Sequence, residues 1–463
     1  MKNFTATKIY TLAFGLFLGL TIWKFGNPVI LDHVISTPAT AADFFNDAWP
    51  IHWATLIFLP FVVVGAFLIF SKKLLWPASP WLWRLPLAWF GWQFFSATET
   101  VDAHLTTATL WQFFGGVAGY FLGAFLFARE NLMRWLLIGL LAAFTFCLVR
   151  AVDQKLFEYP LNHRLLVEGE RDGWTNFPPG VIVDMKNEHV IITTNGTDVA
   201  NPAILAKMAK GRVSGTLVYP NALAGLILLL LPVSFTLAAG TKNILKPAIR
   251  FAVIALTLFL GGVAFFWTGS KLGWLIALAL AGLFLLRLDW PKKLKLATMA
   301  FVLIAGLGGF TVRFHNYFAA GATSVGARFD YWRAAVKTTV AQPLTGTGPG
   351  TFQRPYERLK SPASEMARLT HNDYLEQFSD SGMVGGLAYI AWIFLALTSA
   401  GKKIWRSRDE IPLAIFAGLL GWFAQGFGEF GLYVPALAWT AFTLLGWLTG
   451  QKINEFDNNS GNN

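Results

Sequence analysis

Cysteine is almost missing: Cys147 stands alone in 463 residues, inside an apolar run, so the chain can form no disulfide within itself. Cysteine usage therefore says nothing about redox compartment. Charge is also scarce. Asp, Glu, Lys and Arg make up 14% of the residues, against about 25% in a soluble domain, which argues against a water-covered globule. There is no His-Glu-x-x-His and no paired Cys or His spacing, so no zinc site is expected. No Asp-x-Asp motif or acidic cluster suggests a divalent cation. The stretch "TGTGPG" at 345–350 lacks the Gly-Lys-Ser/Thr ending of a phosphate loop, and turn chemistry is the better account of it. No internal repeat is visible, which disfavours transporters built from duplicated halves.

What the chain does have is apolar length. Hydrophobic residues reach 55%, with 20 Trp and 42 Phe, and apolar runs near 20 residues recur along the sequence. These runs predict an all-α polytopic membrane protein with about 12 spans. They fall at 9–25, 51–70, 81–97, 109–128, 133–151, 215–239, 251–268, 273–288, 296–313, 382–400, 411–426 and 432–450.

The net charge of +11 does not point to nucleic acid, because the basic residues sit in short loops between spans. Lys2, Lys8, Lys72, Lys73, Arg129, Arg134, Lys242, Lys246 and Arg250 mark one side, continued by Arg287, Lys292, Lys293, Lys295, Lys402, Lys403, Arg406 and Arg408. By the positive-inside rule that side is cytoplasmic and carries both termini. "TPATAAD" resembles a cleavage site, but Ala42 lies about 20 residues past the first apolar run, so an uncleaved anchor is expected. The polar tail "NNSGNN" reads as disordered.

The expected organisation is therefore spans 1–5 in 1–151, an outer loop in 152–213, spans 6–9 in 214–312, a second outer loop in 313–381, spans 10–12 in 382–450 and a cytoplasmic tail in 451–463. In the first loop "GVIVDMKNEHVIITTNG" alternates apolar and polar residues about Lys186-Asn187-Glu188 and predicts a hairpin. "NPAILAKMAKG" predicts a short helix opened by Asn201-Pro202 and closed by Gly211.

The second loop is the most informative. A membrane protein rarely spends some 70 residues on one loop without a purpose. His371 is the natural proton acceptor there, since an imidazole titrates near neutral pH. Its alternative role is an interfacial histidine satisfied by backbone. Arg328 and Trp332 are four apart on one helix face, suited to clamping phosphate and stacking on a sugar, or to snorkelling into headgroups. Arg212, Lys271, Arg354 and Arg358 carry the same two alternatives: anion contact or plain solvation.

Four stretches, "RVSGTLVYPNALA" at 212–224, "GARFDYWRAA" at 326–335, "PLTGTGPGTF" at 343–352 and "THNDYLEQFSDSGMVGG" at 370–386, resemble the O-antigen ligase and O-antigen polymerase superfamily of bacterial envelope proteins. The resemblance covers about 200 to 400. It implies a GT-C-like glycosyltransferase of the inner membrane. Such an enzyme takes a glycan from undecaprenyl diphosphate and joins it to an acceptor hydroxyl at the periplasmic face, with no cofactor and no metal. Ligases use lipid A core or a related acceptor, polymerases another repeat unit, and relatives protein serines.

The resemblance carries the catalytic roles onto Arg212, Arg328 and His371, with Asn221, Lys271, Trp332, Arg354, Asn372 and Tyr374 as expected substrate contacts. A glycine eleven residues after the arginine marks polymerases, and neither Arg212 nor Arg328 has one, which favours the ligase. The rival of another class is a lipid-linked glycan flippase, which should carry charges mid-membrane along a pathway.

Overall fold

The computed structural model describes residues 2–71, 79–128, 132–362, 364–406 and 409–451. Lys72, Lys73, Arg129, Arg408 and the polar tail from 452 on lie outside these residues. Among the described residues the chain is all-α apart from one short hairpin.

The first half contains α1 (Lys2–Lys24), α2 (Ala41–Asn46), α3 (Ile51–Phe70), α4 (Trp81–Ala97), α5 (Ala103–Leu122) and α6 (Met133–Asp153). A π-helical turn carries α6 into α7 (Tyr159–Arg171), followed by α8 (Pro179–Asn187), strands β1 (Ile191–Thr194) and β2 (Thr197–Ala200), and α9 (Pro202–Lys210). Next come α10 (Pro220–Ala239), α11 (Pro247–Thr268), α12 (Lys271–Arg287), α13 (Lys292–Ala319), α14 (Thr323–Ala341) and α15 (Gln353–Leu359). The last are α16 (Asp373–Arg406), α17 (Glu410–Gln425) and α18 (Pro435–Gly450).

All twelve apolar runs fall on helices, and among the described residues eight helical stretches are long and apolar enough to cross a membrane. Of the others, α17 is apolar but shorter. Two basic turns share one end of the bundle, where Arg287 Nη1 donates to the Ile404 carbonyl at 2.9 Å. This is a multi-pass membrane protein.

Two boundaries differ from the sequence reading. The expected hairpin about Lys186-Asn187-Glu188 is displaced, because Pro178-Pro179 starts α8 there instead. The turn sits at Asn195-Gly196, both in the left-handed region (φ 54° and 79°), as a two-residue hairpin turn requires. The second polar segment does not begin as a loop at 313 either. Helix α13 continues to Ala319 and stops at Gly321-Ala322, both at positive φ, so Arg313 and Tyr317 ride on its last turns.

Two packing arrangements shape the end of the bundle opposite the basic turns. Helix α10 lies along α17, where Gly418 sits so close to the Leu229 carbonyl that a methyl group would collide with it. That pairing brings the start of α10 beside the loop that leaves α17. Helix α16 breaks at Ser381 and Gly382 (φ 67°). The glycine-rich turn 345–350 docks into the break, with Thr347 N and Gly348 N donating to the Ser379 and Asp380 carbonyls and Gly350 N to the Asp380 carboxylate. These amides are spent on α16, which accounts for the turn without any phosphate.

Candidate active site

Five chain segments meet at this end of the bundle. The first is the stretch before α10. Gln154 pins it by accepting from Ser214 N and Gly215 N at 3.1 and 2.9 Å and donating to the Gly215 carbonyl at 2.9 Å. Arg212 is thereby held at the mouth of α10 and donates from Nε to the Thr268 carbonyl (2.6 Å) and from Nη2 to Asn221 Oδ1 (2.7 Å). Its guanidinium passes over Gly269, which is at φ 59° and has no side chain to obstruct it.

Asn221, on the first turn of α10, donates in turn to Glu429 Oε1 at 2.5 Å. Arg328 on α14 donates to the same oxygen at 2.5 Å, and Glu429 Oε2 lies 3.4 Å from His371 Nδ1. Glu429 is buried and joins Arg212 (through Asn221), Arg328 and His371. Glu429 was not among the residues expected from the sequence. Its signal was nevertheless present: Glu429 is the single charged residue between 411 and 450.

His371 is also held unusually. Its φ is 54°, a left-handed conformation rare outside glycine and costing of order 1–3 kcal/mol. Asn372 stabilises the turn by capping α16, its Oδ1 accepting from Tyr374 N and Leu375 N while Nδ2 donates to the Phe427 carbonyl. Asp373 anchors the Glu429 loop: its N–H donates to the Gly426 carbonyl and its carboxylate accepts from Leu432 N. The imidazole sits among Tyr331, Tyr219 and Phe430, with ring centroids 6.0, 5.9 and 4.8 Å away. Nδ1 is the ring nitrogen that faces Glu429, and Nε2 has no hydrogen-bond partner among the described residues.

Lys271 opens α12 beside Arg212, its Nζ 3.7 Å from the Tyr317 ring centroid and 5.2 Å from that of Phe314. Burial, and then repulsion from Arg212, Arg328 and Arg313, pushes its ammonium down to about 8. Four cations, Arg212, Lys271, Arg313 and Arg328, thus gather near the buried carboxyl groups of Glu429 and Asp373, so cations outnumber carboxylates there.

A bound anion favours charged lysine, so anion binding takes up a proton and weakens as pH rises through about 8. Binding of inorganic diphosphate, as an anionic probe, to the protein in nanodiscs should fall about tenfold from pH 7 to 9. Lys271→Arg should flatten that step; parallel losses in both proteins would remove Lys271 from the site.

Not every expected contact joins this cluster. Arg354 clamps Asp102 from Nε and Nη2 at 2.9 and 2.7 Å, tying α15 to the start of α5. Tyr374 donates to the Phe423 carbonyl at 2.8 Å and stacks on Phe427, facing α17. Asn372 has both amide groups occupied by the chain. Trp332 lies one turn from Arg328, and its buried Nε1 has no hydrogen-bond partner among the described residues.

Fold and site together define a multi-pass membrane protein with a cationic, histidine-containing centre at one end of its bundle. The family model described as O-antigen ligase matches residues 256–390, which places that segment in the O-antigen ligase superfamily, as the resemblance implied. The match spans Lys271, Arg328 and His371, while Arg212, Asn221 and Glu429 come from outside it. The match of this segment supports a membrane glycan-transferring enzyme of the O-antigen ligase or polymerase type. No curated protein matches it.

Proposed function

We propose that the chain transfers a glycan from undecaprenyl diphosphate to an acceptor hydroxyl on the outer face of the bacterial inner membrane, as an O-antigen ligase. The observation that carries this is the meeting of Arg212, Arg328 and His371 about Glu429. In the reaction, the acceptor oxygen attacks the anomeric carbon from the face opposite the diphosphate. The new C–O bond forms as the old sugar–phosphate bond breaks, and configuration inverts. The electron pair leaves on the diphosphate, and the acceptor proton passes to His371 Nε2.

Diphosphate is already a good leaving group, so what the site must supply is positive charge where negative charge develops. Arg212, Arg328 and Lys271 are placed for that. Glu429 orients the imidazole and steadies its charged form after proton transfer, so it is a positioning residue. The buried polar groups about Glu429 lie at one end of the bundle, which favours an enzyme working on one face over a flippase.

Arg328→Lys keeps the charge and loses the planar fork, so transfer in membranes at equal expression should drop about 10²-fold, with weakened donor binding. Donor affinity equal to wild type would count against the clamp. The assignment as ligase is tested by deleting the gene and examining the surface glycans. Full-length lipid-linked chains left unattached support it. Unpolymerised single units would make the protein a polymerase instead, and an unchanged glycan profile would discard both.

A further inference from the structure

A second polar cluster lies at the same end of the bundle, apart from Glu429. The turn 29–34 places Asp32 at the start of α3, where Oδ1 accepts from Ile51 N and Oδ2 pairs with His52 Nδ1 at 3.1 Å. Beside this pair is a cavity of about 220 Å³ between the turn, α3 and α5. Gln112 lines it and is buried; its Nε2 donates to the Leu432 carbonyl at 2.9 Å, and its Oε1 has no partner among the described residues. Trp111 and Trp439 supply aromatic walls, and exposed Leu56 stands at the rim.

The geometry points to a site for a lipid whose headgroup carries a primary ammonium. The lining holds one carboxylate and no Lys or Arg, so the charge it lacks is positive. Acceptor oxygens stand at its wall: the Asp32 carboxylate, which also faces His52 Nδ1, with the buried, unpartnered Gln112 Oε1 behind the surface. An ammonium brings three N–H donors, and indole faces attract it further. A neutral sugar would satisfy the acceptors but add no positive charge beside Asp32, which otherwise has His52 alone as an ionisable partner among the described residues. The volume holds a headgroup rather than acyl chains. Those chains have a path along the outward face of α3, where Leu56, Val63 and Phe67 are exposed.

The site is distinct from the proposed glycan-transfer centre, and its test does not depend on transfer. The full-length protein in mixed-lipid nanodiscs would be released for native mass spectrometry with phosphatidylethanolamine, phosphatidylcholine and phosphatidylglycerol of matched chains. Phosphatidylethanolamine should be retained about tenfold over both others. Asp32→Asn keeps an acceptor for Ile51 N while removing the charge, and should erase that preference with unchanged melting. His52→Phe, at an exposed position, should weaken it severalfold and serves as the second variant. Equal retention of the three lipids, or wild-type retention by both variants, would each overturn the proposal.

Discussion

Replacing His371 with glutamine should lower glycan transfer by about 10²–10⁴-fold while donor binding stays near wild type. Glutamine has a similar length but no basic nitrogen, so the acceptor hydroxyl loses its proton acceptor. The position itself complicates the test, because φ at 371 is 54° and a substitution can fail through the backbone alone. Asparagine tolerates this left-handed conformation better than most residues. His371→Asn should therefore melt like wild type in detergent and still lose transfer. The measurement is single-turnover transfer in membranes at matched protein amounts. Near-normal rates in either variant would remove His371 from the mechanism.

Glu429→Gln should separate binding from chemistry. The amide keeps an oxygen for Asn221 and Arg328 but removes the negative charge beside the cations. The donor diphosphate then meets less repulsion, so KM for the donor should fall. The imidazole, deprived of its carboxylate, is less well oriented and its charged form less supported, so kcat should fall about 10²-fold. Glu429→Ala goes further and leaves the Arg328 guanidinium, 19% exposed, without its partner. Breaking a buried pair costs about 3–5 kcal/mol, and water at this mouth reduces that to about 2 kcal/mol, still visible as lower melting. Unchanged kcat in Glu429→Gln would show that the carboxylate only braces the fold.

The apolar runs were legible because burial in lipid writes itself into composition over 20 residues at a time. The placement of Arg328 and Trp332 on one face was legible for a similar local reason, the helical repeat. Glu429 was not, since its partners Asn221, Arg328 and His371 lie 208, 101 and 58 residues away in the chain. No local periodicity encodes such a meeting. Arg354 illustrates the converse: its neighbours suggested a phosphate surface, but its partner Asp102 is 252 residues distant. The hairpin was misplaced by attention to alternation, when Asn195-Gly196 was the stronger turn signal.

The carboxylate that gathers the site lies between α17 and α18, so it is the last of these residues to leave the ribosome. A nascent chain that has inserted α10 to α16 already holds Arg212, Arg328 and His371, but no common acceptor draws them together. Assembly of the centre thus waits on the final helical pair. A chain stalled or clipped after α16 would lack the carboxylate that joins Arg328 and His371, and it should be inactive.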